Sequence, residues 1–157
     1  MINWKSPRWC RLGVPLGVLL AISGCTISTP YKTLADPPDP ASPVVVAITR
    51  ASLDPQRRAA FDRYTASLID TLPAQPGLLG YSVRRDLFGN NAWTMTVWSS
   101  DAARRAFVYS QMHQDAITET YGTLLNARFI RYPAMPDELP PRWADVLKRL
   151  DVDGRDY

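Results

Sequence analysis

The feature that most constrains the fold is the order in which the hydrophobic periodicity changes between Val44 and Leu150. Residues 44–48 form a β-branched run with apolar residues on both faces, which predicts a central strand. A helical stripe, two alternating segments, a second helical stretch, another β-type run and a final helical stripe follow. This order is that of the split β-α-β or ferredoxin-like arrangement. We therefore expect an α+β fold with a four-stranded antiparallel sheet and an extra C-terminal helix.

Local signals set the boundaries of these elements. Asp54 followed by proline predicts a helix N-cap and a first helical position, and Pro73 should end that helix. The turn at residues 88–91 is of the kind that joins antiparallel strands in a hairpin. Residues 99–101 form a predicted cap for the second helical stretch, and residues 127–132 form a predicted last strand that a proline ends.

One face of the predicted sheet needs a cover. In an α+β fold of this order the helices lie on one face of the sheet. The other face would carry Thr94, Thr96 and Trp98, or the residues that alternate with them, and it is too apolar to face water. We therefore expect a second copy of the sheet to cover it, which would make the protein a homodimeric α+β barrel.

The N-terminal residues 1–24 have the composition of an export signal. Three basic residues and no acidic residue precede an apolar run from Leu12 to Ile22. That run is about half of the roughly 20 residues that a membrane span needs. The sequence Ile-Ser-Gly-Cys that ends at Cys25 resembles the lipobox of bacterial lipoproteins. The resemblance implies removal of residues 1–24 and attachment of a diacylglycerol and a further acyl chain to Cys25.

The residues after the cysteine suggest a location and a linker. Thr26, which is not aspartate, favours the outer membrane of a Gram-negative cell, with the domain on the periplasmic side of the cell envelope. Residues 25–43 contain five prolines and few apolar residues, so we expect a semi-rigid tether. Residues 44–157 would then form one globular domain.

Composition excludes several classes of function. The chain has 18 basic and 15 acidic residues, but the predicted signal contains three of the basic ones, so the mature part is neutral. Neutrality gives no electrostatic case for nucleic acid as a partner. Cys10 and Cys25 are the two cysteines, and neither would remain for a disulfide. His113 is the one histidine, which argues against a structural zinc site, so no metal is expected.

Several segments together resemble a known family. They are Pro76–Tyr81, Ala92–Ala103, Phe107, Met112–His113 and Leu139–Trp143. They resemble the antibiotic-biosynthesis-monooxygenase-like proteins of the dimeric α/β-barrel superfamily, over nearly all of residues 44–150. The resemblance implies a homodimer with a pocket between each sheet and its helices. Activities in that superfamily include oxidation of phenols and quinols without a cofactor, haem breakdown and simple binding, so the fold does not fix the function.

One branch of the superfamily fits poorly. The haem-degrading members have an asparagine on strand one, a tryptophan on the second helix and a histidine ten residues later. Phe107 and Ile117 stand at the last two positions here, and strand one has no asparagine. These departures argue against haem degradation.

The resemblance and the residue chemistry together suggest a site. His113 is a candidate base for removing a phenolic proton, although a histidine there also fits a helix cap. Arg84 or Arg131 is a candidate to hold the resulting anion, although Arg84 also fits a solvated strand edge. The candidate aromatic contacts to a ligand, of which the tryptophans fit a core equally well, are Trp93, Trp98, Tyr81, Tyr109 and Tyr121.

Three functions remain open on the sequence. The preferred one is a membrane-anchored, cofactor-independent monooxygenase that acts on a small aromatic or quinol-type substrate. The alternative is a non-catalytic lipoprotein that binds a hydrophobic small molecule, with haem as one candidate. The third is a structural lipoprotein that docks to an envelope partner through the C-terminal helix around Trp143.

Overall fold

The computed structural model describes residues 25–37 and 39–156. The predicted signal peptide, residues 1–24, therefore lies outside the described residues. The strands are β1 (Thr26–Ser28), β2 (Lys32–Thr33), β3 (Val44–Leu53), β4 (Leu78–Asp86), β5 (Asn91–Trp98), β6 (Leu124–Ala134) and β7 (Arg155–Asp156). The helices are α1 (Arg58–Thr71), α2 (Asp101–Val108), α3 (Gln111–Thr120) and α4 (Trp143–Asp153).

The strands form one antiparallel sheet. Its order is β1-β4-β5-β3-β6-β7, and β2 also pairs with β4. β3 is central, because Val45 lies opposite Trp98 of β5 and opposite Pro133 of β6. The predicted α+β ferredoxin-like fold is confirmed. The sheet has more strands than the predicted four, since β1, β2 and β7 extend its edges.

The helices begin where polar side chains cap them. A carboxylate oxygen of Asp54 accepts a hydrogen bond from the backbone N–H of Gln56 at 2.9 Å. The first turn after this cap, Pro55–Arg57, is a 3-10 turn that leads into α1. Ser100 caps α2, and its hydroxyl oxygen accepts from the backbone N–H of Ala103 at 3.1 Å. Both predicted caps are confirmed.

Proline does not end the last long strand. We expected that strand to cover residues 127–132, whereas β6 begins at Leu124 and continues through Pro133 to Ala134. Pro133 still lies opposite Val45 of β3. A proline lacks only the backbone N–H, so a strand near the edge of a sheet tolerates it where no ladder bond needs that group.

The sheet has two covered faces, which we name by the helix that packs on each. Side chains alternate between the faces along a strand. The α2 face carries Val45, Ala47, Thr96 and Trp98, and the α4 face carries Val46, Ile48, Met95 and Val97. On the α2 face the rings of Trp98 and Phe107 lie 5.2 Å apart. On the α4 face the indole N–H of Trp143 donates to the hydroxyl of Ser82 at 3.1 Å.

The expectation of an uncovered apolar face was wrong. Thr94, Thr96 and Trp98 lie on the α2 face, and the residues that alternate with them lie under α4. Val146 and Leu150 of α4 are fully buried in the same cluster as the α4-face residues. The C-terminal helix thus supplies the cover that we expected from a second copy. Its apolar side is thus occupied within the chain, and docking to an envelope partner through α4 stays a hypothesis.

The segment after Cys25 differs from the predicted tether. Its residues 26–28 and 32–33 pair with β4, with Thr26 opposite Asp86 and Thr33 opposite Gly80. Tyr31 packs against the α4-face cluster, and this burial raises the pKa of Tyr31 to about 12. An unpaired strand edge offers free backbone N–H and C=O groups, and the segment satisfies those of β4. Composition alone cannot reveal such a partner.

Candidate functional site

A short break in the second helical region positions His113. Ser110 follows α2 and caps α3, and its hydroxyl accepts a hydrogen bond from the backbone N–H of His113 at 3.3 Å. Two residues separate the end of α2 from the start of α3. The imidazole of His113, in the first turn of α3, therefore meets the last residue of α2, Val108. The position of His113 thus also agrees with the other interpretation of this residue, a histidine next to a helix cap.

The hydrogen bond of His113 fixes which nitrogen is available. Its Nδ1 lies 3.1 Å from the carbonyl oxygen of Val108. A carbonyl oxygen only accepts, so in the neutral imidazole we assign the proton to Nδ1. Nε2 then has a free lone pair. The side-chain N–H of Gln114 donates to the same carbonyl at 2.7 Å and helps to hold it in place.

The imidazole lies against an aromatic pair, Phe107 and Trp98, through the ring of Phe107. The ring of Phe107 meets His113 edge-on at 4.8 Å, and on its other side Phe107 lies 5.2 Å from Trp98. Burial lowers the pKa of His113 below its usual value of 6.5, and the hydrogen bond to Val108 partly opposes that shift. A lowered pKa favours the neutral imidazole, which is the form that a general base needs.

Trp98 and Tyr81 lie behind this group in the core. Trp98 is 1% exposed, and its indole N–H donates to the hydroxyl of Thr96 at 2.9 Å. Tyr81 is buried in the same cluster, with the ammonium of Lys32 5.8 Å from its ring centre. The core alternative that the sequence left open for Trp98 is the one that the structure adopts. Both residues support the site from within the fold.

Arg131 lies on the same face of the sheet as His113. It is on β6, opposite Ala47, and its Nε is 3.8 Å from a carboxylate oxygen of Asp101 at the start of α2. Asp101 also pairs with Arg104 and Arg105, and the hydrogen bond from Arg104 is the main cause of its lowered pKa. Three guanidinium groups around one carboxylate leave an excess of positive charge at this point.

Arg84 and Trp93 lie on the opposite face. The guanidinium of Arg84 is 5.9 Å from the ring centres of both Trp93 and Trp143. One of its terminal nitrogens donates to the hydroxyl of Thr26 at 2.5 Å, while its Nε is buried without a hydrogen-bond partner among the described residues. The sheet separates this group from His113. The structure therefore does not bring Arg84 and Trp93 together with His113.

Tyr109 and Tyr121 do not lie at pocket depth. Tyr109, between α2 and α3, is 74% exposed, and Tyr121, after α3, is 76% exposed. The expectation that they reach into a pocket was wrong. Both follow the last residue of a helix, where the chain turns, and their rings therefore point into solvent rather than toward the sheet.

A surface depression lies beside α2, and sequence reasoning did not identify it. Its volume is about 300 Å³, at the lower end of the usual range for ligand sites, and it is lined by Gln75, Pro76, Gly77, Ala103, Ala106 and Phe107. Gly77 has a φ of 77°, and a Cβ there would lie 2.6 Å from that of Ala103. The Pro76-Gly77 pair, a dipeptide typical of turns, was the available signal. Phe107 belongs both to this depression and to the contact with His113.

Among the described residues, no group of three or more His, Cys, Asp and Glu side chains is placed to hold a metal ion. None of the helices in the described part of the chain has the length and hydropathy needed to cross a bilayer. Cys25 is exposed at the start of the described residues.

Comparison with known proteins shows what the chain is similar to. Residues 44–119 match the model of the family described as antibiotic biosynthesis monooxygenase. No curated protein matches the chain. Several solved structures are similar at low sequence identity.

Three of these structures illustrate the extent of the similarity. A Pseudomonas aeruginosa protein, PA3566, has a TM-score of 0.55 at 18% identity over 60% of this chain and 96% of its own. A Nitrosomonas europaea protein, provisionally assigned as an antibiotic biosynthesis monooxygenase, has a TM-score of 0.55 at 13% identity over 62% of this chain and 92% of its own. A Lactobacillus acidophilus protein, provisionally assigned as a monooxygenase, has a TM-score of 0.53 at 15% identity over 71% of this chain. The chain spans about half of that last protein's length. Similarity at this identity establishes a shared fold.

Proposed function

We propose that the protein oxidises a small electron-rich aromatic or quinol-type substrate without a bound cofactor, since residues 44–119 match the model of the antibiotic biosynthesis monooxygenase family. We further propose that lipid on Cys25 anchors it in the cell envelope. The observation that carries the first part is the state of His113. Burial lowers the pKa of its imidazole, its Nδ1 lies 3.1 Å from the carbonyl oxygen of Val108, and its Nε2 is left to accept a proton.

The reaction balances without an external reductant. His113 takes the hydroxyl proton of a phenol, and the more electron-rich anion then transfers an electron to dioxygen. Recombination places one oxygen atom on the ring. Loss of the other as water, with the protons from the hydroxyl and the ring carbon, leaves a quinone. Phenol and dioxygen thus give quinone and water, and the substrate supplies all the electrons.

Arg131 is the residue that we propose for the substrate anion. It shares the α2 face with His113, and the excess of guanidinium groups around Asp101 leaves charge for an added oxyanion. Arg131 is half exposed, so its interaction with an anion is screened by water. Arg84 lies on the other face and has no part in this proposal.

Oxygen uptake tests the role of His113. The purified protein is given hydroquinone or 1-naphthol as a probe substrate, and oxygen consumption is followed with an electrode. General base catalysis contributes about 100-fold or more, so His113→Ala should lose at least that much rate and recover part of it with added imidazole. The matched control is Gln114→Ala, which loses a hydrogen bond to the same carbonyl but no base. Equal rates in both variants would remove His113 from the reaction.

One observation also favours the second candidate, a binding protein for a hydrophobic small molecule such as haem. Metal-bound histidines commonly donate their other ring N–H to a carbonyl oxygen, as Nδ1 of His113 does. In that function His113 would hold the haem iron through Nε2. Titration with haemin distinguishes the two functions: a Soret band that disappears in His113→Ala, together with no oxygen uptake, would favour binding over oxidation.

The anchor requires its own test. The expected mature protein begins at Cys25 and carries lipid there, which gives a mass above that of residues 25–157. Intact-mass measurement of the protein purified from membranes checks this, with Cys25→Ser as the variant that should be released into the soluble fraction. An unmodified cysteine in the membrane-derived protein would refute the anchor.

A further inference from the structure

The strand register places several turns at the same end of the domain as Cys25. Thr26 lies opposite Asp86 at the end of β4, and Ser52 near the end of β3 lies opposite Asn91 and Asn126. The β4–β5 turn, the β3–α1 turn and the α3–β6 turn therefore all lie at this end. We call it the Cys25 end.

Exposed apolar side chains collect there. Phe88, in the β4–β5 turn, is 87% exposed, and Leu125, at the start of β6, is 70% exposed. The exposed large apolar residues of the Cys25 end are Ile27, Leu87, Phe88, Tyr121 and Leu125, and those elsewhere in the described residues are Tyr64, Tyr109, Ile117, Met135 and Val152. The second set is scattered over several elements, whereas the first is confined to one end. This difference distinguishes the Cys25 end from the rest of the described surface, and exposed apolar groups at one end are a feature of interaction surfaces.

The position of Cys25 relative to this surface is fixed by hydrogen bonds. The backbone N–H of Leu87 donates to the carbonyl oxygen of Cys25 at 2.8 Å. The guanidinium of Arg84 holds Thr26 through its hydroxyl. Cys25 is therefore held directly beside the β4–β5 turn, with no flexible linker between them. Lipid attached to Cys25 brings Leu87 and Phe88 to the bilayer surface with it.

The charge next to the β4–β5 turn is balanced, with Arg58 and Arg85 against Asp62 and Asp86. Arg58 donates to the backbone carbonyls of Asp86 and Gly89 and lies 3.9 Å from the carboxylate of Asp62. Arg85 pairs with the same carboxylate at 3.5 Å. These cations are thus largely satisfied within the protein. Contact with a bilayer should depend on the apolar side chains and be insensitive to the fraction of anionic lipid.

We propose that the Cys25 end is a membrane-facing surface: Leu87 and Phe88 enter the interfacial layer of the bilayer that holds the Cys25 lipid, with Ile27, Tyr121 and Leu125 around them. The domain is thereby held in one orientation. Aromatic and aliphatic side chains beside a lipid chain add their own burial to the anchor. This proposal rests on the proposed lipid attachment at Cys25 and is independent of the proposed oxidation.

A fluorescent label reports the orientation. The lipidated protein with Asn90→Cys carries a nitrobenzoxadiazole label at the β4–β5 turn, where Leu87 and Phe88 remain intact. The control is the same label at Tyr109→Cys, on the exposed α2–α3 connection. Both proteins are reconstituted in phosphatidylcholine vesicles that contain a spin-labelled lipid quencher. We expect several-fold stronger quenching at position 90 than at position 109, unchanged when a quarter of the lipid is phosphatidylglycerol.

A second variant shows whether the apolar residues cause the contact. Leu87→Ser with Phe88→Ser, in the position-90 background, should reduce quenching toward the position-109 level while the protein still floats with the vesicles. Equal quenching at both positions in floating protein would overturn the proposed orientation but leave the anchor standing. Protein that fails to float and has an unmodified Cys25 would refute the anchor, and the orientation with it. Efficient cross-linking between position-90 cysteines in detergent would instead assign the surface to a second copy.

Discussion

Truncation of Leu150 tests the cover that α4 provides. Its side chain is 0% exposed and lies in the cluster formed by Val46, Met95 and Val97 on the α4 face. Leu→Ala changes at such sites cost about 2–5 kcal/mol, because burial is lost and the cavity collapses only partly. We expect Leu150→Ala to fall in the upper part of that range, since helix on one side and sheet on the other restrict collapse.

Urea unfolding followed by tryptophan fluorescence measures this loss. The matched control is Val152→Ala on the same helix, which is 72% exposed and should change the free energy of unfolding by about 0.5 kcal/mol or less. The unfolding midpoint should not depend on protein concentration, because the cover belongs to the same chain. Similar losses in Leu150→Ala and Val152→Ala, or a midpoint that rises with concentration, would refute the packing of α4 on its own sheet.

Three further predictions follow from other contacts. Burial lowers the pKa of His113 in the folded state, so below about pH 6.5 the unfolded state binds the proton more readily. The free energy of unfolding should therefore decrease as the pH is lowered below about 6.5, and this decrease should be smaller in His113→Gln. Gly77→Ala meets both a positive φ and the side chain of Ala103 and should destabilise by more than about 1 kcal/mol, whereas Gly122→Ala meets only the flexible end of an arginine and should cost less by thermal unfolding. Tyr31→Ala should expose residues 26–34 to limited proteolysis, and a spectrophotometric titration that places the pKa of Tyr31 near 10 would contradict its burial.

The order of elements could be predicted because it depends on local periodicity and capping. Asp54 and Ser100 cap helices through bonds to their own neighbours in sequence, and the hairpin depends on the short turn between its strands. The pairing of residues 26–33 could not be predicted in this way. Proline-rich composition describes how a segment behaves alone, while its pairing depends on a free edge of β4, some fifty residues away.

The candidate site was predicted only in part for a similar reason. Strand alternation alone separates Trp93 from Trp98, since an odd number of steps puts them on opposite faces. It does not say which face lies beneath the helix that carries His113. That choice depends on tertiary packing, and the irregular register between Leu78 and Gly80 shifts β4 relative to β5. The sequence alone therefore could not show that Arg84 lies on the face of the sheet opposite to His113.

The two proposals together constrain how a substrate arrives. The depression beside Phe107 includes Gly77, whose carbonyl accepts from Ser99 just after β5 ends, and this is the end of the sheet opposite to Cys25. A domain that rests on the bilayer through its Cys25 end therefore opens this depression toward water. A substrate that reaches it comes from the aqueous side, which favours small soluble phenols over quinols that stay within the bilayer. Oxygen uptake in vesicles should then be faster with hydroquinone than with a long-chain quinol at equal total concentration, and the reverse order would mean that the depression is not the entrance.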